Sequence, residues 1–276
     1  MNGLEFSTGG RRWRADLARP VDLAIALDFG GPQPRFFAAS PAGAEPLQAG
    51  SFTGSVERGA SCNCATYTLA PHCHGTHTEC VGHLTRGGAT VAALTPVPPM
   101  LAVLVTVAPQ ALGAAAGGSH AAPTDPVIDA AALEAACRHW QDAPWAALVV
   151  LTLPNDPAKR YRAYPAVPCP APYFTADAMR WIVARGVTSL VCDLPSLDRA
   201  DDGGRLEAHR LYWGLPPGSQ QSADALRPRA LVTELAYVPE DATDGLYLLD
   251  LQVAAFVADA APSRPVLYPM TEVACA

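Results

Sequence analysis

The sequence predicts a mixed α/β protein built as a single domain. The first half is rich in short strand-like runs, the middle alternates strand, helix and strand, and no polar linker or internal repeat divides the 276 residues. Strand–helix–strand runs of this length form parallel crossover units, which place ligand chemistry at the carboxyl ends of their strands. With 50% of its residues apolar, a chain of this length can bury a substantial core without disulfides.

The strands of the first half are short apolar runs between turn-forming residues. Val21–Leu27 is the first, and the Gly/Pro-rich stretch 30–34 after it forces a loop. Asn63–Leu69 and Leu101–Val107 follow as strands. We expect the Gly/Ala/Ser-rich segment after Val107 to be a mobile loop.

The middle of the chain contains residues that are typical of helix starts and helix ends. Asp129 is a good N-cap for a helix over Ala130–Gln141, and Thr175 caps a second helix that runs to Arg185 and stops at Gly186. Between and after these helices, continuous apolar runs are typical of strands covered on both faces. The predicted strands are Ala147–Leu153, Val187–Leu194, Ala230–Leu235 and Leu246–Leu251.

Charge and composition disfavour several classes of partner. Nineteen Lys and Arg against 26 Asp and Glu give a net charge of -7, and no basic run is present that would neutralise a nucleic-acid backbone. The first residues lack the apolar core of a secretory signal, and the most apolar window, 102–108, is too short to span a membrane. We therefore expect a cytoplasmic protein whose eight cysteines are reduced thiols.

Metal-ligating residue types are concentrated between positions 71 and 83. This stretch, Pro71-His72-Cys73-His74-Gly75-Thr76-His77-Thr78-Glu79-Cys80-Val81-Gly82-His83, holds four of the seven histidines, two thiols and a carboxylate. Such side chains bind borderline or hard divalent ions. In an extended segment, alternation places His77 and Glu79 on one face, and Gly75 allows a tight turn that presents Cys73 beside them.

Two other interpretations of this stretch remain open. The histidines could be a surface cluster beside a turn, with Cys73 and Cys80 packed as small hydrophobic residues. Alternatively, Cys62, Cys64, Cys73 and a histidine could form a structural zinc site, although the Cys62-Asn63-Cys64 spacing is shorter than in zinc knuckles. A Ser/His/Asp hydrolase is disfavoured because no Gly-x-Ser-x-Gly elbow occurs.

The stretch resembles a motif of the metal-dependent cyclase-like hydrolases, which include bacterial kynurenine formamidase and isatin hydrolase. That motif is His-x-Gly-Thr-His-x-Asp-x-x-x-His. Cys73 here replaces its first histidine and Glu79 its aspartate, whereas Gly75-Thr76-His77 and His83 match. The resemblance continues in the same order through Asp16-Leu17-Ala18-Arg19-Pro20, Cys192-Asp193-Leu194-Pro195-Ser196-Leu197-Asp198, Glu207-Ala208-His209-Arg210 and Leu231-Val232-Thr233-Glu234-Leu235.

The resemblance implies a fold and a set of site residues. The fold is a single domain over 1–276 with a mixed, barrel-like β-sheet core flanked by helices, of the swivelling β/β/α type, and residues 1–15 form an arm-like or poorly ordered N-terminus. His83 is the implied proton donor and acceptor. The implied metal ligands are Cys73 and His77 for one ion, Glu79 as a bridge, His209 for the second ion and Glu234 for both.

The two departures from the motif bear on the metal. Glutamate is one methylene longer than aspartate, so the spacing of two ions would change. A thiolate at Cys73 favours zinc over manganese. We therefore expect one or two divalent ions, zinc first and manganese second. Asp193 and Ser196, beside the expected pocket, either position ligands or cap the next segment.

The resemblance implies a reaction and its partners. A metal-activated water would open an amide-type C–N bond of a small molecule, an aryl formamide or a cyclic amide. Phe29, Phe36 and Phe37 either line an aromatic substrate pocket or belong to the core. The alternative function is a catalytically silent binding or structural member of the same fold with a degraded metal site. Family analogy predicts a homodimer or homotetramer, with no nucleic-acid or membrane partner.

Overall fold

The computed structural model describes residues 3–113, 121–165 and 171–273. Much of the Gly/Ala/Ser-rich segment expected to be mobile, residues 114–120, therefore lies outside the described residues. The strands are β1 (Gly3–Thr8), β2 (Arg11–Asp16), β3 (Val21–Asp22), β4 (Gly43–Pro46), β5 (Gln48–Ala49), β6 (Phe52–Thr53), β7 (Ala65–Thr68), β8 (His77–Glu79), β9 (Met100–Val107), β10 (Gln110–Ala111), β11 (Pro126–Ile128), β12 (Ala147–Thr152), β13 (Tyr173–Phe174), β14 (Ser189–Cys192), β15 (Leu231–Glu234), β16 (Gly245–Val253) and β17 (Ala260–Val273).

The helical elements are short. The α-helices are α1 (Val91–Leu94), α2 (Ala130–Cys137), α3 (Ala176–Ala184) and α4 (Glu207–Trp213). Single 3₁₀ turns cover Val56–Arg58, Pro71–Cys73, Val81–His83, Pro157–Tyr161 and Ser222–Asp224. In the part of the chain that is described, no helix has the length and apolar character needed to cross a membrane.

Seven strands close into a barrel. Around the ring, β17 pairs with β16, then β9, β12, β14, β15 and β8 follow, and β8 pairs back with β17. The pairs from β9 through β12 and β14 to β15 are parallel, and the other four pairs are antiparallel. The barrel-like mixed sheet implied by the resemblance is therefore confirmed.

The barrel strands bury both faces, which explains their continuous apolar sequences. Along β9, Ala102 and Leu104 pack inside the barrel in a cluster with residues of β12, β14, β15, β16 and β17. The alternate residues Val103 and Val105 pack outside, against the helices. The outer layer includes the two largest buried residues of α4, Tyr212 and Trp213.

Helix starts were predicted more accurately than helix ends. The side chains of Asp129 and Thr175 accept hydrogen bonds from the N–H groups of Ala132 and Ala178, as expected of N-caps. However, α2 ends at Cys137 and not at Gln141. Helix α4 was not predicted, because its seven residues are too few to show a clear helical period.

One strand prediction for the N-terminal half needs correction. Of Val21–Leu27, only Val21 and Asp22 pair as a strand, because the N–H of Ile25 binds the Thr76 hydroxyl instead of a neighbouring strand. Near the N-terminus, β1 and β2 form a hairpin that pairs with the end of β17.

Candidate metal centre

The strand register brings three of the predicted ligands to one face of the barrel wall. His77 lies opposite Glu234 in the antiparallel β8–β15 pair, and Glu79 lies opposite Val232. Val232 packs in the outer apolar layer, so by alternation His77, Glu79 and Glu234 also face outwards, toward the helices. All three side chains are buried.

Helix α4 brings His209 over these strands. Asp198 fixes the start of this helix, since its carboxylate accepts the N–H groups of Ala208 at 2.7 Å and of His209 at 3.2 Å. The same carboxylate lies 2.6 Å from Nδ1 of the His209 ring. One aspartate therefore sets both the position of the helix and the orientation of the histidine.

Hydrogen bonds fix which nitrogen each buried histidine presents. His77 Nδ1 lies 3.1 Å from the Gly75 carbonyl oxygen, an acceptor only, so Nδ1 carries the proton. His209 Nδ1 donates to Asp198 in the same way. Both rings therefore turn Nε2 inward, which is the orientation found in histidines that bind a metal through Nε2. Gly75 makes this turn with φ +73°, a conformation that favours glycine.

The inward atoms form a compact cluster of ligand atoms. His209 Nε2 lies 3.0 Å from Glu79 Oε1 and 3.3 Å from Glu234 Oε1, and His77 Nε2 lies 3.6 Å from Glu234 Oε2. Despite these distances, His77 Nε2, His209 Nε2 and both carboxylate oxygens of Glu79 have no hydrogen-bond partner among the described residues.

These atoms fit a divalent cation. Buried polar atoms without a partner cost about 1–3 kcal/mol each, and lone pairs that face each other at these distances repel. A cation held between imidazole nitrogens and carboxylate oxygens removes both penalties. The geometry of His77, Glu79, His209 and Glu234 therefore suits a metal centre better than a set of ordinary core contacts.

The electrostatics agree with this geometry. Burial alone would raise the pKa of Glu79, but the nearby His83 and His209 hold it well below its usual range. Burial alone would lower the pKa of His209, yet the carboxylates of Glu79 and Asp198 raise it well above its usual range. The pocket thus favours negative carboxylates with a compensating positive charge among them.

A second layer of residues closes the cluster on its solvent side. The His83 ring stacks on His72 with centroids 4.2 Å apart, and His83 Nδ1 lies 3.6 Å from Asp259 Oδ2. Gly82 permits this arrangement, because a Cβ there would lie 2.1 Å from the Ala89 carbonyl oxygen and 3.2 Å from the Asp259 Cβ. Burial would lower the pKa of His72, but Asp259 and Glu79 raise it to about 10.

The described chain contains three overlapping triads in which the ligand atoms lie within 4.8 Å of one another: His72, His77 and Glu79; Glu79, His83 and His209; and His72, His83 and Asp259. His72 belongs to two of these triads, whereas Cys73 and Glu234 belong to none. Pro71–Cys73 is a 3₁₀ turn, so strand alternation does not apply to His72.

Asp259 was missed by sequence reasoning. It lies one residue before β17, whose first residue, Ala260, is opposite Glu79 in the barrel. Nothing in the sequence around Asp259 resembles a ligand motif, since its role comes only from closure of the barrel between β8 and β17. The only feature that identifies Asp259 is the pairing of β17 with β8, two strands that are far apart in the sequence.

The other candidates have structural partners. Asp193 is buried and binds the Lys159 ammonium at 2.7 Å and the Thr152 hydroxyl at 2.9 Å, while the Ser196 hydroxyl accepts the N–H of Asp198. Cys62 and Cys64 are exposed and lie outside the triads found in the described residues.

An open pocket of ≈ 670 Å³ adjoins the cluster. His72 and Asp259 line it on the side of the ligands. Aromatic side chains line the rest, with the rings of Phe29 and Tyr67 4.7 Å apart and Phe256 nearby. Of the phenylalanines considered from the sequence, only Phe29 lies here: Phe36 is buried in a small cluster of its own.

The barrel and its histidine–carboxylate cluster define an α/β protein with a candidate divalent-metal centre. Residues 16–199, about two thirds of the chain, match the family model Cyclase, described as "Putative cyclase". The chain therefore belongs to this family, which confirms the resemblance seen in its motifs. No curated protein matches the sequence.

Solved structures share the fold. A predicted metal-dependent hydrolase from Bacillus stearothermophilus is 15% identical, with a TM-score of 0.54, over 91% of this chain and 98% of that one. Isatin hydrolase A from Labrenzia aggregata, bound to benzyl benzoate, is 16% identical, with a TM-score of 0.57, over 91% and 93%. An isatin hydrolase bound to the product analogue thioisatinate is 13% identical, with a TM-score of 0.57, over 91% and 92%.

Proposed function

We propose that this protein is a metal-dependent hydrolase that opens an amide-type C–N bond in a small molecule, either an aryl formamide or a cyclic amide. The observation that carries the proposal is the set of buried, unpartnered ligand atoms on His77, Glu79 and His209. Family membership and the hydrolases among its structural neighbours support the reaction class.

Four buried residues would hold the metal: His77, Glu79, His209 and Glu234. A divalent ion supplies Lewis-acid activation of water and of a substrate carbonyl. The chain's own contribution is to present the ligand atoms in a fixed arrangement. Leu197 helps, because its backbone N–H donates to Glu234 Oε1 at 2.8 Å and holds that carboxylate in place.

His83 would move the proton that C–N cleavage requires. Its side chain is 26% exposed and its Nδ1 lies 3.9 Å from Glu79 Oε2, so the ring lies at the solvent-facing edge of the buried cluster. Asp259 Oδ2 lies 3.6 Å from Nδ1, an ion-pair distance, and Nε2 would exchange a proton with the departing nitrogen. Amide nitrogen is a poor leaving group unless it is protonated, so this histidine would act as the general acid.

The pocket favours a substrate with an aromatic ring. Phe29, Tyr67 and Phe256 provide ring faces on the side away from the ligands. A flat aryl group packed there would place an attached formamide or a fused lactam beside His72 and Asp259. The isatin hydrolases that share this fold are named for isatin, which is a substrate of this kind.

Two measurements on one preparation test the proposal. Protein purified without chelator is analysed for bound zinc and manganese, and is assayed with N-formyl anilines, isatin and simple lactams with each metal added. We expect stoichiometric metal and hydrolysis of at least one aromatic amide. His139→Ala, at an exposed histidine far from the cluster in sequence, is the matched control for each histidine variant.

The outcomes separate the two functions considered from the sequence. Bound metal without turnover of any amide in the panel would support the silent binding member of the fold. Absence of metal, together with unchanged stability of His77→Ala, would contradict the metal centre itself.

A further inference from the structure

His72 occupies a position that its sequence does not suggest. It lies in the middle of the 3₁₀ turn Pro71–Cys73, where successive side chains point about 120° apart. This turn directs the His72 ring toward Glu79, while the Cys73 thiol stays outside the triads of ligand atoms in the described chain. The histidine side chain remains 27% exposed, so it borders both the ligands and the pocket.

The two nitrogens of His72 have different surroundings. Nε2 lies 2.8 Å from Asp259 Oδ2 in a hydrogen bond. A carboxylate only accepts, so Nε2 carries a proton. Nδ1 lies 2.9 Å from Glu79 Oε2, yet that oxygen makes no hydrogen bond within the described residues. Nδ1 therefore has the same unpartnered approach to a carboxylate as the two buried histidines.

From this arrangement we propose that His72 is a metal ligand through Nδ1, in the place that the motif resemblance assigns to Cys73, and that Asp259 is the residue that positions it. The proposal rests on the metal centre of the proposed function. A carboxylate that accepts from the far nitrogen of a ligating histidine fixes its tautomer and ring orientation. Asp198 does this for His209, and Asp259 does it for His72.

The substitution changes the chemistry of the first site. With His72, His77 and Glu79 as its ligands, the site contains nitrogen and oxygen only, and the soft thiolate of Cys73 is absent. Nitrogen and oxygen donors accept manganese as well as zinc, whereas thiolates select for softer ions. The one-residue shift of the histidine thus compensates for the cysteine in the motif.

A purely structural role for His72 is the alternative. A protonated His72 could simply neutralise Glu79 and Asp259 without binding metal. Loss of the ring would then lower the stability of the metal-free protein and leave its affinity for metal nearly unchanged. The two roles therefore differ in a measurement that does not depend on catalysis.

The experiment is a metal titration of the full-length, chelator-treated protein, with Zn²⁺ or Co²⁺ competed against a chromogenic chelator. The variants are His72→Ala, His72→Asn, Cys73→Ser, Asp259→Asn and His77→Ala. Asparagine can present an oxygen near the Nδ1 position, so we expect His72→Asn to retain more affinity than His72→Ala. For Asp259→Asn we expect a loss of roughly 10–100-fold, typical of an outer partner, and for His72→Ala a larger loss.

The cysteine provides the matched control. Cys73→Ser should bind as tightly as the parent protein, and the cobalt-loaded parent should lack the near-ultraviolet charge-transfer band of a thiolate ligand. The inference is overturned if His72→Ala binds like the parent, or if that band is present and disappears in Cys73→Ser. If neither the parent protein nor His77→Ala binds metal, the proposed function fails instead.

Thermal unfolding of each metal-free variant completes the test. A variant with the melting temperature of the metal-free parent but weaker metal binding supports ligation. A lower melting temperature with unchanged metal affinity supports the structural role and contradicts the proposal. If His72→Ala does not fold, His72→Asn and Asp259→Asn decide the outcome.

Discussion

Asp198 Oδ2 lies 2.6 Å from His209 Nδ1, and the Asp198 carboxylate also accepts the first N–H groups of the helix that carries this histidine. A single side chain from the loop after β14 thus couples the position of α4 to the candidate metal centre. The same loop supplies the Leu197 N–H that holds Glu234. Stability of this loop and geometry of the ligands are therefore linked.

The Asp198→Asn variant should reveal both roles. Asparagine keeps one acceptor oxygen for the Ala208 N–H, but its amide nitrogen cannot accept from His209, so we expect a loss of about 1–3 kcal/mol in the free energy of unfolding. The loss of the charge at His209 Nδ1 should weaken metal binding by roughly 10–100-fold. Metal titration with parallel urea unfolding measures both effects. Asp201→Asn, at an exposed aspartate in the same loop, should leave metal binding unchanged; equal affinity of Asp198→Asn and the parent would contradict the coupling.

Removal of the metal should lower stability. Without a cation, the buried carboxylates of Glu79 and Glu234 repel. Burial and the charge of Glu79 both act to raise the pKa of Glu234, although His209 and His77 hold it below its usual value. A ligand at about 1,000 times its Kd stabilises the folded state by about 4 kcal/mol. Chelator should therefore lower the melting temperature, and zinc or manganese should restore it. The His77→Ala protein should respond much less, and a parent protein indifferent to chelator would argue against the site.

His83→Ala should separate binding from chemistry. His83 is assigned to proton transfer and not to the metal, so the metal content should stay unchanged. The turnover should fall by about 10²–10⁴-fold, the usual contribution of a general acid or base. Kinetics and elemental analysis of the same sample measure both. Loss of metal in this variant would show that His83 is a ligand.

The Lys159–Asp193 ion pair should be needed for stability. Both side chains are buried, and burial raises the pKa of Asp193 even beside the lysine. Lys159→Met leaves this carboxyl without its partner, so we expect a loss of about 3–5 kcal/mol in the free energy of unfolding. The double variant Lys159→Met/Asp193→Asn should recover part of this loss. Urea unfolding measures it, and simple additivity of the two single effects would contradict the pairing.

Tyr67→Ala should impair binding of aromatic substrates. Tyr67 is 59% exposed and contacts Phe29 at the pocket, so the protein should fold normally. Aromatic pairs contribute about 0.5–1.5 kcal/mol, which predicts a rise in KM of roughly 2–10-fold for an aryl amide with little change in kcat. A substrate without a ring should show a smaller rise, and Tyr161→Ala, at another exposed tyrosine, should show none. Equal effects on both substrate types would mean that the pocket does not bind the ring.

The sequence predicted those elements that depend on interactions between residues close together in the chain. Asp129 and Thr175 cap helices because the capping hydrogen bond lies within a few residues of the cap. The alternation of His77 and Glu79 was readable for the same reason, because a strand has a period of two. That period does not extend across the 3₁₀ turn Pro71–Cys73, so the approach of His72 to Glu79 could not be predicted from alternation.

The sequence by itself determined the class of the fold, its family and the types of residue that the site uses, since composition, capping and motif spacing are properties of neighbouring residues. Only the tertiary structure decided which of those residues meet. Closure of the barrel placed Asp259 beside His72. The hydrogen bond from His209 to Asp198 oriented the His209 ring toward Glu79. Such contacts join residues far apart in the chain, so they depend on strand register and helix position, which no local pattern specifies.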